Sequence, residues 1–120
     1  MVSPASPATS SDRARSCERV PLESVSLRAN ARTFALRVPD DSMRAVGLLP
    51  GDIAVFEHGL PPRPGDVVAA LVDGISVLRV YAVTLGRPML RTPDGHGPAT
   101  RADEVVLQGV MTQLLRSRSR

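Results

Sequence analysis

Asp73-Gly74 lies between two runs of Val, Leu, Ala and Ile, and no other feature narrows the possible folds of this chain as far. An Asp-Gly pair tolerates the positive φ angles of a two-residue hairpin turn, whose twist matches that of the strands it joins. Asp66–Val72 and Ile75–Val83 are therefore read as the arms of a β-hairpin. Four more short apolar runs, Phe34–Val38, Ile53–Glu57, Pro88–Arg91 and Val105–Leu115, are set apart by Gly and Pro and read as strands. No window is long and periodic enough for a substantial amphipathic helix. One short helical turn is expected, opening near Asp41-Ser42 and closed by Gly47. The predicted fold class is mostly β with that single turn.

A chain of 120 residues holds one domain, and with Phe34, Phe56 and Tyr81 as its only aromatic residues the core must be aliphatic. The same scarcity argues against a base-stacking platform for single-stranded nucleic acid. Residues 1–19 are rich in Ser and Pro and are expected to form a flexible arm; the domain spans 20–115, and 116–120 reads as a disordered basic tail. Charge follows this division: residues 20–115 carry 9 Arg against 10 acids, whereas the two ends carry 6 Arg against 2. The ends are thus expected to make at most weak contacts with nucleic acid. Cys17 is the only cysteine, so no intrachain disulfide or cysteine metal cluster can form, and no cofactor or metal is expected. No apolar stretch has the length of a membrane anchor or the form of a secretory signal, and a soluble cytoplasmic protein is expected.

PDDSMRAVGLLPGDIAVF, residues 39–56, resembles the nucleophile segment of the LexA/UmuD-type serine peptidases. In these proteins a Ser-Met pair opens a short helix, followed by a Gly, an apolar pair and a Gly-Asp that leads into a strand. Ser42, Met43, Gly47, Gly51 and Asp52 fill those places in order. The likeness continues through GDVVAALVDGISVLRVY, residues 65–81, which is similar to the central hairpin, and VVLQGVMTQLL, residues 105–115, which is similar to the last strand. The resemblance implies the LexA C-terminal, signal-peptidase-like β-fold over about residues 20–115.

It also implies a role for Ser42 as nucleophile, with Met43 as a wall of the binding cleft or part of the core. Read from the residues alone, a Ser that opens a helical turn is equally an N-cap that satisfies free backbone N–H groups. A serine hydroxyl needs a base, and the resembled family uses a lysine kept neutral by burial. Leu78 stands in the lysine's place, and this sequence contains no lysine at all. Arg79 is expected to point away from Leu78 by strand alternation, and a guanidinium does not lose its proton. His58 and His96 fall in Pro- and Gly-rich connections and are read as exposed loop residues.

The resembled proteins cut themselves at an Ala-Gly or Cys-Gly bond upstream of the serine, but here no Gly precedes Gly47 and Cys17 is followed by Glu18. With no room upstream for a helix-turn-helix domain, the architecture is expected to be closer to UmuD than to LexA. The expected function is that of a catalytically inactive peptidase-fold module for protein contacts, a homodimer paired along the 105–115 strand. A translesion polymerase or another DNA-damage (SOS) response protein is the partner implied. Two alternatives stand beside it: an active or self-cleaving serine peptidase using Ser42 with a non-lysine base, and a nucleic-acid-associated protein acting through its Arg-rich ends.

Overall fold

The structure, a computed structural model, describes residues 16–24, 30–95, 97 and 99–116. Eight strands run in chain order: β1 (Arg19–Val20), β2 (Thr33–Arg37), β3 (Ile53–Glu57), β4 (Val67–Val72), β5 (Ile75–Thr84), β6 (Arg87–Arg91), β7 (Thr100–Arg101) and β8 (Val106–Leu115). All neighbours are antiparallel, in one sheet of order β1-β2-β3-β8-β4-β5-β6-β7. The six strands read from the sequence are present with boundaries shifted by a residue or less. Two-residue β1 and β7, and the 3₁₀ turns Leu22–Ser24 and Ala102–Glu104, are too short to leave a periodic signal. Among the described residues no helix is long and apolar enough to cross a membrane.

Both faces of the sheet are covered, which explains why β4 reads as an unbroken apolar run rather than an alternating one. Val67 and Ala69 join one core with Leu36, Val38, Met43, Leu48, Ala54, Phe56 and Leu78; Val68 and Ala70 join another with Leu90, Ala102 and Val110. Asp73-Gly74 makes the expected turn, with φ of 52° and 79°. Leu85-Gly86 makes a second one of the same kind (φ 52° and 77°) without the Asn or Asp that would have announced it.

Strand β8 ties the molecule together. Its first half pairs with β4 and its second half with β3, and register shifts beside Gln108 and Thr112 let it serve both. The expectation of dimer pairing along 105–115 meets a strand that is internal to the sheet. Among the described residues one edge lacks a neighbouring strand at Met111–Leu115, beyond the reach of β4, and the other at Val106–Gly109, beyond the reach of β3.

Both ends of the domain reach further than composition indicates. Cys17 is buried, its N–H donates to the Ser76 carbonyl (2.9 Å), and the Arg37 N–H donates to the Glu18 carbonyl (2.8 Å). The Arg19 guanidinium lies over the Phe34 ring, 4.7 Å from its centroid. Residues 17–19, expected in the arm, are thus bound to the domain, because Cys17 is a small apolar group and Arg19 finds an aromatic face. Arg116, expected in the tail, is also bound to the domain, as described below. Residues 1–15 and 117–120, the rest of the expected arm and tail, and His96 lie outside the described residues.

Candidate active-site region

The segment between β2 and β3 folds as a closed loop. At its base the Val38 N–H donates to the Asp52 carbonyl (2.8 Å) and the Gly51 N–H donates to the Val38 carbonyl (2.9 Å). At its tip Asp41–Val46 forms a 3₁₀ turn kinked at Met43, ended by Gly47 at φ 92°, a conformation that a side chain would resist. Met43 and Leu48, each 1% exposed, anchor the loop in the core. Ser42 is exposed at the start of the turn.

Asp40 is the N-cap. Its Oδ1 accepts the Ser42 N–H at 3.0 Å, so the backbone donor best placed to meet an oxyanion beside this serine already holds a carboxylate. The cap falls to Asp40, and Ser42 is left with its hydroxyl free for chemistry or contact.

Leu78 is 3% exposed, opposite Ala69 in the β4–β5 pair, and belongs to the same core as Met43. Met43, the residue after Ser42, and Leu78 thus contribute to one hydrophobic core, and the side chain at position 78 is apolar and has no acid–base capacity.

Arg79 behaves differently from the expectation of a side chain turned wholly away. Its Nη1 donates to the Leu78 carbonyl at 2.8 Å, and its charge acts on both Cys17 and Asp40. Alternation fixes where a side chain leaves the strand, but a long arginine can fold back along an edge. Burial lowers the Arg79 pKa from its usual value, yet a guanidinium remains protonated and supplies no base. Cys17, lying in the electrostatic field of the same two residues, has its thiol pushed up to about 11, chiefly by burial and then by Asp40.

His58 follows β3 at the end opposite Asp52, the residue that anchors the Ser42 loop, and six residues of extended chain span roughly 20 Å. Its Nδ1 is 3.0 Å from the Gln108 carbonyl. The histidine is thus engaged away from Ser42.

Sequence reasoning missed the pair that fixes this loop. Asp52, 3% exposed, accepts from the Leu49 N–H (2.8 Å) and from Arg116, whose Nε reaches Oδ1 at 2.9 Å and whose Nη2 reaches Oδ2 at 2.7 Å. Arg116 Nη2 also donates to the Gly47 carbonyl at 2.9 Å, so one guanidinium binds the loop's base and the end of its turn. The Arg116 hydrogen bond is the main reason the Asp52 carboxyl lies below its ordinary pKa. The Asp of the Gly-Asp pair was visible in the sequence; its partner, 64 positions away, carried no local signal.

The chain is 40% identical over 96 residues to a LexA repressor of Verrucomicrobium spinosum, covering 79% of this chain and 47% of that protein. It is 37% identical over 91 residues to a LexA repressor of Opitutus terrae, covering 74% of this chain and 45% of that protein. A shorter match, 39% over 57 residues, joins it to Protein SamA of Salmonella typhimurium, covering 48% of this chain and 41% of that protein. The chain spans about half the length of the LexA repressors it matches. Residues 1–111 match the sequence pattern described as Peptidase S24-like, and with the β-fold and the Ser42 loop in place, the chain belongs to that family.

Proposed function

We propose that this chain is a Peptidase S24-like domain that does not cleave peptides and works through protein contacts. The observation that carries this reading is Leu78, buried in the core that also holds Met43, at the position where the resemblance puts the lysine base. A serine hydroxyl without a proton acceptor is a poor nucleophile, and neither Arg79 nor His58 supplies one. Asp40 weakens the case for catalysis further, since its carboxylate occupies the Ser42 N–H. The 41 residues ahead of Ser42 in this sequence contain no Ala-Gly or Cys-Gly bond, which also speaks against self-cleavage within them.

The resemblance to UmuD favours a homodimer and, as partner, a translesion polymerase or another DNA-damage response protein; this part rests on analogy, because a fold hosts many functions. Dimer pairing through β8 would use the Met111–Leu115 edge that β4 does not reach. Incubation of the purified protein and of Ser42→Ala from neutral to alkaline pH, followed by intact-mass spectrometry, tests the catalytic part. The expected result is no Ser42-dependent product in either self-cleavage or cleavage of added protein. Products present in the wild type and absent in Ser42→Ala would restore the reading of an active peptidase with a non-lysine base.

A further inference from the structure

Strand β5 is covered unevenly. On one side β4 pairs with Ile75–Val80, while on the other β6 reaches only Val80–Thr84. The two hairpin turns fix which backbone groups face which way. Residues flanking a two-residue turn form a hydrogen-bonded pair, and such pairs recur at every second position. Val72 and Ile75 flank Asp73-Gly74, so Ile75, Val77 and Arg79 direct their N–H and C=O groups to β4. Thr84 and Arg87 flank Leu85-Gly86, so Val80, Ala82 and Thr84 face β6. Tyr81 obeys the same rule, bonding to Gly65 and Asp66 on the β4 side. Ser76 and Leu78 are left facing the side where no strand pairs among the described residues.

A free strand edge invites a further strand from another chain. Here its outward carbonyls are already taken by the molecule itself. Ser76 accepts the Cys17 N–H at 2.9 Å, and Leu78 accepts Arg79 Nη1 at 2.8 Å. The crossing segment Ser16–Glu18 is held on its far side by the Arg37 N–H on the Glu18 carbonyl, and its Cys17 side chain is buried in the core that contains Met43 and Leu78.

We propose that the Ser16–Glu18 strap and the Arg79 guanidinium form an intramolecular clasp that closes the β5 edge, so that an extended peptide binds at Ser76–Leu78 only when the clasp is displaced. This deepens the protein-contact reading by stating how access to the same site is governed, and it holds whether or not Ser42 cleaves anything.

The strap itself supplies the probe: a fluorescein-labelled peptide with the sequence of residues 14–21, carrying serine in place of the cysteine. Fluorescence anisotropy compares wild type, Arg79→Ala, which frees the Leu78 carbonyl, and Arg79→Ala/Cys17→Pro, which also removes the strap's donor. Affinity is expected to rise at least about tenfold from wild type to the double variant, the scale of one net hydrogen bond, with new protection of the Ser76 and Leu78 amides against hydrogen exchange. Equal affinity in all three proteins, or protection elsewhere, would overturn the clasp. Should the double variant fail to fold, Arg79→Ala and thiol labelling of wild type decide. Cys17 is the only cysteine, so a labelling rate that is independent of low urea and faster than global unfolding reports strap opening. Labelling that tracks global unfolding rejects a displaceable strap. A failure of the proposed inactivity appears in the Ser42-dependent products, a separate readout.

Discussion

Arg116 grips Asp52 with two nitrogens while the same guanidinium holds the Gly47 carbonyl, joining the end of β8 to both ends of the segment that follows Ser42. The pair sets a pH dependence with a definite sign. Asp52 has its pKa lowered in the folded state, first by the Arg116 hydrogen bond, against about 3.9 in an unfolded chain. Its contribution is therefore complete above the unfolded value and is lost as pH falls through the folded one. Asp52→Asn is expected to flatten the acid limb of stability below about pH 4, measured as urea midpoints across pH. Arg116→Ala is expected to do the same and to speed amide exchange at Gly47 and Leu49. An acid limb unchanged in both variants would show that the pair contributes nothing to folding.

Gly109 is required by packing rather than by turn geometry. A Cβ at that position would lie 2.9 Å from the Phe34 ring and 3.0 Å from the Glu57 carbonyl oxygen. Phe34 cannot yield freely, because it stacks on Phe56 at 5.4 Å and carries Arg19 on its face. Gly109→Ala is expected to cost about 1–3 kcal/mol in urea unfolding, the usual range for overpacking. Adding Phe34→Leu is expected to recover part of that loss, giving a non-additive cycle. Strict additivity would place the strain elsewhere.

Leu78→Lys returns an amine to the core beside Met43, but into a site built for a hydrocarbon. Burial disfavours the ammonium, so the lysine's folded pKa should drop below its unfolded value of about 10.4. The unfolded state then binds more protons between the two values, and stability rises with pH across that window. A loss on the order of 3 kcal/mol is expected at neutral pH, shrinking toward pH 10, whereas Leu78→Met should cost less than about 1.5 kcal/mol. A pH-independent loss would mean that the new side chain escapes to water.

These cases show which parts of the structure were legible in the sequence. Strands β2 to β6 and β8 were, because short apolar runs and Gly or Pro punctuation are local signals. The Ser42 turn was too, since an Asp-Ser start and a Gly end are read within seven residues. Contacts between distant positions were not. Nothing near Arg116 marks it as the partner of Asp52, and nothing near Cys17 marks it as the cover of Ser76, because both partnerships are made by sheet order. Alternation does not foretell the Arg79 contact for a related reason: it describes where the side chain leaves the strand, whereas the guanidinium answers to an open edge that only the assembled sheet creates.

Leu85 presents a different mismatch between residue and position. It is 96% exposed at the tip of the β5–β6 hairpin and adopts φ 52°, so it buries almost nothing while holding a conformation that costs a non-glycine residue on the order of 1 kcal/mol. Asn populates this region readily, and Asn-Gly is a preferred pair for a turn whose two central residues both have positive φ. Leu85→Asn is therefore expected to raise stability by roughly 0.5–1 kcal/mol with no change in the urea m-value, since little buried surface is involved. Leu85→Val tests the cause: it keeps an apolar side chain but adds β-branching, which tolerates positive φ least, and should lower stability. If Asn and Val shift the midpoint in the same direction, backbone strain at Leu85 is not what the substitutions change.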